Sequence, residues 1–322
     1  MPNKVIKIKI IQSIKWFVIS LLASMIIVLI LPHSLHCILK WGFGIDSNSL
    51  TEYASLGDSF GVFNTVFSAL ALGAVVITLL AQIKANNKIS VVDIFYKMLD
   101  FQQKVVEELS VFPVTIKETQ EELKPVVGRK AFVEYKIQIK YLMKIVCKIN
   151  SEHGLNLKES DVADISYAVF YYGSAPTWKP MMMEYLKDYK NHELIVDSII
   201  AKVNIEKNKR FILNRPNQNF MSVYFRNMYN AIKLIDGSDA LNSQEKKDYI
   251  KILRAQLSNA ELYVLFFNLM SRFGKKWIEN GYVEKYQLLQ NIPNKYCDGY
   301  NPKDYFPTIN FEGDQESLSP FH

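Results

Sequence analysis

The chain has 322 residues, an apolar share of 49% and a formal charge of +6, from 38 Lys and Arg against 32 Asp and Glu. So mild an excess does not demand a nucleic-acid partner, and the length suits a membrane unit followed by one or two helical domains. The three cysteines, Cys37, Cys147 and Cys297, fit neither a disulfide framework nor a zinc site, and are expected as isolated, buried, reduced thiols.

Residues 1–15 form a basic start with Lys4, Lys7, Lys9 and Lys15. Residues 16–39 read as a first transmembrane helix, opening on WFVISLLASMIIVLIL. A signal peptide has a similar start, but this run is long and no small-x-small cleavage site follows. Trp16 and Trp41 suit interfacial anchors. His33, His36 and Cys37 lack the fourth ligand of a structural metal site, so no metal is assigned. Residues 40–58 form a short, net acidic loop, and residues 59–83 a second span, with no charge between Asp58 and Lys84. On this span Gly61, Asn64, Ser68 and Ala71 follow at offsets of three, four and three. They make a small polar face suited to close helix packing, which implies a homo-oligomer or a helix pair in the bilayer. The lysines at the start and the acidic loop place both termini in the cytoplasm.

Residues 84–292 read as a helical cytoplasmic domain. Ser90 and Asp93 resemble a capping box before Val91–Ser110, whose Val92, Phe95, Met98, Leu99 and Val105 fall near one face. Lys130–Asn150 buries Phe132, Tyr135, Ile139, Leu142 and Ile145–Val146, and Gly154 sits in the following loop. Ser160 is the expected cap of Asp161–Tyr172, which Gly173 and Pro176 terminate. Shorter patterns cover Met181–Tyr189 and Glu193–Val203. Tyr224–Ile235 is amphipathic, with Phe225, Met228, Ile232 and Ile235 inward and Arg226, Asn230 and Lys233 elsewhere. Asn242 with Glu245 predicts a capping box for a helix to about Gln256. Ser258 with Glu261 predicts a second, stapled by Leu257 and Leu262, for a helix ending near Gly274. A last helix is expected over Tyr282–Asn291. Residues 293–322, with Pro293, Pro302, Pro307 and Pro320, read as an extended arm lying on the domain. The fold class is all-α.

Two blocks carry a resemblance. The first is GDSFGVFNTVFSALALGAVVITLLAQ (57–82); the second joins YFRNMYNAIKLID (Tyr224–Asp236), LRAQLSNAELYVLFFN (Leu253–Asn268) and EKYQLLQNI (Glu284–Ile292). Together they resemble the putative phage abortive infection protein family, the abortive-infection C-type membrane proteins of bacteria. The resemblance implies anti-phage defence at the bacterial inner membrane, triggered by a phage-derived or host signal. It singles out Arg226, Tyr229, Arg254, Leu257, Ser258, Glu261 and Asn268, and supplies no catalytic residues.

The chemistry of the residues agrees. No Arg is followed five to seven residues later by His, as HEPN-type ribonucleases require. No GxxxxGK[ST] loop, GxSxG elbow or HExxH motif occurs. Gly274-Lys275-Lys276 reads as a basic helix end. Arg254 and Glu261 are placed to pair across the helix junction. No catalytic, cofactor or metal residue is assigned. Lys207, Lys209, Arg210 and Arg215, near Lys202, form a basic cluster that could grip phosphates or RNA, but reads better as a solvated face or one lying near anionic lipid headgroups. The leading expectation is a non-enzymatic, membrane-anchored effector or sensor. The alternatives are a membrane-tethered ribonuclease or nucleotide-acting toxin with an unrecognised site, and a scaffold that recruits a separate effector.

Overall fold

The computed structural model describes residue 41, residues 50–115, 124–208 and 212–312. The first expected span, residues 16–39, and the His33–His36–Cys37 cluster lie outside the described residues. Two compact units meet in sequence between Ala81 and Gln82.

The first unit is described through the long helix α1, Leu50–Glu107, which continues into the second unit. α1 begins at Leu50, inside the segment expected as a loop. It runs unbroken through Ser90, so the capping box expected there does not form. No Gly, Pro or competing cap interrupts the stretch around Ser90, and helix simply propagates. From Asn64 onward, α1 contains the one helix among the described residues long and apolar enough to cross a membrane. Phe67, Leu70, Leu72, Val75, Ile77 and Leu80 are all exposed, Ile77 by 70%. Gly61, Asn64, Ser68 and Ala71 are exposed as well. Thr65 and Thr78 turn their hydroxyls inward, each donating to the carbonyl four residues back at 2.8 Å.

The second unit is helical. Its only strands among the described residues are the two-residue antiparallel pair β1, Ser110–Val111, and β2, Val126–Val127. The helices are α2 (Ala131–His153), α3 (Glu159–Tyr172), α4 (Lys179–Leu186), α5 (His192–Asn208), α6 (Gln218–Asp236), α7 (Ser243–Ala255), α8 (Asn259–Met270), α9 (Lys275–Glu279), α10 (Tyr282–Lys285) and α11 (Pro302–Tyr305). α8 is the axis. Every side chain from Ala260 to Leu269 is buried, the signature of a helix surrounded on all sides. α2 and α3 pack on it and on each other, α4 and α6 add to α3, and α5 closes on α2 and α4.

Local chemistry explains the ends. Gly154 takes a left-handed conformation after α2 (φ 58°, ψ 39°), as a C′ glycine does. α3 starts one residue before the expected Ser160 cap. The N–H of Lys158 donates to Asp161 Oδ2 at 2.9 Å instead. Both later capping boxes form as expected. Glu245 N–H donates to Asn242 Oδ1 at 2.9 Å, and Asn242 N–H to Glu245 Oε2 at 3.0 Å. Ser258 N–H donates to Glu261 Oε2 at 2.8 Å. In Val91–Ser110 the buried residues are Phe95, Leu99, Gln102, Val106 and Leu109, with Val92, Met98 and Val105 half-buried.

Four further expectations need correction. The helix expected to reach Gly274 ends at Met270, and a short 3-10 turn, Arg272–Gly274, follows. The helix expected over Tyr282–Asn291 ends at Lys285, because Gln287 takes a positive φ of 52° and the chain continues in turns. The tail up to residue 312 is not extended. It folds through α11 and buries Cys297, Phe306, Ile309 and Phe311 against the domain. Cys147 is exposed, contrary to expectation, and Cys297 is buried.

Candidate functional site

A cleft of about 510 Å³ opens beside the outer face of α6. α6 has its apolar stripe, Met221, Phe225, Met228, Ile232 and Ile235, in the core. That leaves Ser222, Arg226, Tyr229, Asn230 and Lys233, spaced close to three and four apart, along one side facing the cleft. The opposite wall comes from the segment after α8, through Phe273, Lys276 and Trp277, and α3 contributes Tyr171.

The wall after α8 is held by packing and by a buried carboxylate. Gly274 lies so close to α8 that a Cβ there would stand 2.4 Å from Leu269 Cα and 2.5 Å from the Asn268 carbonyl oxygen. Beside it Asp164, buried in α3, accepts from Arg272 N–H at 2.9 Å, Arg272 Nε at 3.0 Å, Tyr185 Oη at 2.6 Å and Tyr189 Oη at 2.7 Å. Burial and this carboxylate push both phenols upward. Phe273 then stacks on Tyr185 with centroids 5.1 Å apart and meets Tyr171 at 4.2 Å. Trp277 meets Tyr229 edge-on at 5.4 Å.

Electrostatically the cleft is one-sided. Arg226, Lys233 and Lys276 line it, and no acidic side chain does. All three are exposed, and among the described residues none forms an ion pair. Burial raises the Tyr171 phenol, with Tyr172 adding to it, while Ser222 and the Arg226 charge oppose. At the floor, Asn268 is 3% exposed. Its Nδ2 donates to Tyr167 Oη at 2.9 Å, while its Oδ1 has no partner among the described residues. A buried acceptor left so costs roughly 1–3 kcal/mol.

Of the seven residues singled out from sequence, Arg226, Tyr229 and Asn268 meet at this cleft. Arg254, Leu257, Ser258 and Glu261 do not. Arg254 is buried and donates to the carbonyls of Gln287 at 2.9 Å and Tyr286 at 3.4 Å. It does not pair with Glu261 as expected. Glu261 is met instead by Arg129 Nε at 3.2 Å, Tyr224 Oη at 2.9 Å and its own cap Ser258. Leu257 lines the same small neighbourhood as Arg129 and Glu261.

Residues 216–296 carry the putative phage abortive infection protein signature. The match bears out the resemblance over that region, which holds α6, α7, α8, α9 and most of the cleft, and the family suggests a role in phage abortive infection. The apolar block at 57–82 lies outside the matched residues. No curated protein and no solved structure matches the chain.

The basic cluster resolves differently. Lys209 and Arg210 lie outside the described residues, as does the side chain of Lys207. Arg215 is committed to the fold: it donates to the Phe112 carbonyl and to Gln138 Oε1, and it lies over the Tyr135 ring at 5.8 Å. Lys202 pairs with Glu152 at 2.6 Å. Lys275 and Lys276 open α9 rather than closing a helix, so the basic helix end expected there is a basic helix start. The sequence reading missed Lys276, Trp277, Phe273 and Tyr171. Its one usable signal was the spacing of Arg226, Asn230 and Lys233 along the solvent side of α6.

Proposed function

We propose that this chain is a membrane-anchored, non-enzymatic effector of phage defence at the bacterial inner membrane. Residues 16–39 and 59–83 are its two spans, and both termini are cytoplasmic. The cleft beside α6 senses the infection signal. The spans, associating with other copies through Gly61, Asn64, Ser68 and Ala71, then change packing and compromise the membrane.

The observation that carries this reading is the exposure of the apolar part of α1. Leaving a large apolar side chain in water forgoes about 1.5–3 kcal/mol of burial, and α1 does so at residue after residue. Hydrocarbon removes that cost, and soluble monomers rarely show so large an apolar surface. The cleft adds a second support. Its lining holds cations, rings and amides but no carboxylate, histidine or cysteine, a set that suits holding an anion better than moving a proton.

The test is to follow membrane potential and total RNA integrity in the same infected cells. Depolarisation with intact RNA is expected, abolished by Gly61→Leu. RNA breakdown preceding any depolarisation would overturn the reading in favour of a tethered ribonuclease. Reporter fusions after residues 10 and 100 should report cytoplasm, and one near Ser47 the outside.

A further inference from the structure

We infer that the cleft beside α6 binds a phosphorylated nucleoside. The inference deepens the reading above by naming what the sensing cleft takes, and it rests on that reading for its link to defence.

The charge pattern is the first ground. Many cations elsewhere in this unit are matched, as Lys88 is by Glu245, Arg129 by Glu261, Lys140 by Asp298, Lys179 by Asp197 and Lys285 by Asp236. Those unmatched among the described residues, such as Lys247 and Lys251, stand exposed on a helix surface outside the cleft. Arg226, Lys233 and Lys276 differ in being brought to one concavity, from two elements some 50 residues apart in sequence, with no carboxylate among them. Three like charges around a cleft repel one another, and a polyanion removes that cost. Arg226 offers a planar fork that suits phosphate, and the two lysines act as point charges.

The second ground is the rest of the lining. Tyr171, Tyr229 and Phe273, each half-buried and backed by the buried Trp277, make walls against which a base can lie, and such contacts contribute irrespective of base identity. Bare phosphate would leave those rings and most of the 510 Å³ unused. A cleft of that size suits a ligand of nucleotide dimensions.

The third ground is Asn268. Its unpartnered Oδ1 lies at the buried floor and requires a donor. The exocyclic amine or ring N–H of a base supplies one, as does a ribose hydroxyl. The amide is fixed by its bond to Tyr167, and because Oδ1 is sealed from solvent the floor over it must open for a ligand donor to reach it.

The test is equilibrium binding to the full chain in detergent or nanodiscs. The probes are ATP, GTP, CTP and UTP, their monophosphates, adenosine, inorganic triphosphate and a short single-stranded RNA. At least one nucleotide is expected to bind at least tenfold more tightly than either adenosine or inorganic triphosphate. Arg226→Gln and Lys276→Gln should each weaken it fivefold or more, without moving the melting temperature. Absence of nucleotide binding, equal binding of inorganic triphosphate, binding of RNA alone, or unaltered affinity in both variants would each overturn the inference. Phage protection separates the two claims. Suppose no nucleotide binds but both variants lose protection at matched membrane levels. Then the ligand class is wrong and the sensing cleft stands. If both protect like the parent, the sensing role falls as well.

Discussion

Arg272 embraces Asp164 across 108 residues of sequence, its backbone N–H on Oδ1 at 2.9 Å and its Nε on Oδ2 at 3.0 Å. The Asp164 carboxylate is buried, while Arg272 keeps one nitrogen on the exposed Asp188 at 3.0 Å and lies over the rings of Tyr185 and Tyr189. This contact fixes the turn that carries Phe273 and leads into Lys276 and Trp277, so it sets one wall of the cleft.

Removing the guanidinium leaves the buried carboxylate its backbone N–H and two phenols but no compensating charge. Arg272→Ala is expected to cost about 3 kcal/mol, within the range for breaking a buried ion pair. Arg272→Lys should recover only part of it, because an ammonium cannot reproduce the fork. Denaturant unfolding of the detergent-solubilised chain reads both.

Gly274 is required by space rather than by its backbone angle, which is ordinary at φ −82°. The Cβ of Gly274→Ala would press on backbone atoms of Leu269 and Asn268 that cannot rotate away. We expect a loss of about 1–3 kcal/mol from overpacking. A weakened cleft should accompany it, read as reduced phage protection at matched protein level.

Ser258 and Glu261 should separate capping from charge. Ser258→Ala should cost about 1 kcal/mol as a lost cap. Glu261→Ala should cost about 3 kcal/mol, because it also abandons Arg129 and Tyr224. Loss of protection in Ser258→Ala with an unchanged melting temperature would show that this junction acts directly in function.

The two described thiols should differ in reactivity. Burial pushes the Cys297 thiol up to about 12, with Asp298 adding and Lys136 opposing, while Cys147 is raised less and is exposed. In a Cys37→Ser background at pH 8, iodoacetamide should label Cys147 and spare Cys297 until the chain unfolds. The sign for stability follows. A thiol with a folded pKa above its ordinary value of 9.0 stabilises the fold below pH 9. That contribution is lost as pH rises toward 12. Buried tyrosines such as Tyr224 are raised too and act in the same direction. Unfolding free energy should therefore fall on the alkaline side, and a pH titration of denaturant midpoints checks it.

The small polar face of α1 gives the last test. Asn64→Leu and Gly61→Leu should insert normally and lose protection, because an interhelical polar bond in lipid contributes only about 0.6–2 kcal/mol and tunes packing. Leu70→Phe, on the other side of α1, should be mild. Equal protection by all three at matched membrane levels would show that the stripe merely faces lipid.

The sequence determined the local features of this protein. The paired capping boxes at Asn242–Glu245 and Ser258–Glu261, the glycine stops at Gly154 and Gly173, the inward stripe of α6 and the apolar run in α1 all follow from residues within a turn or two of one another. Short-range sterics and hydrogen bonds decide such features before any tertiary contact forms. Tertiary structure alone decided where those faces went. The partner of Glu261 is Arg129, not the nearby Arg254, because the carbonyls at Tyr286 and Gln287 claim Arg254 first. Lys276 and Trp277 reach Arg226 and Tyr229 only because Asp164 captures Arg272 and Gly274 lets the chain turn tightly against α8. Pairings between residues tens of positions apart leave no periodicity in the sequence, so the cleft became visible only once burial had chosen which polar groups meet.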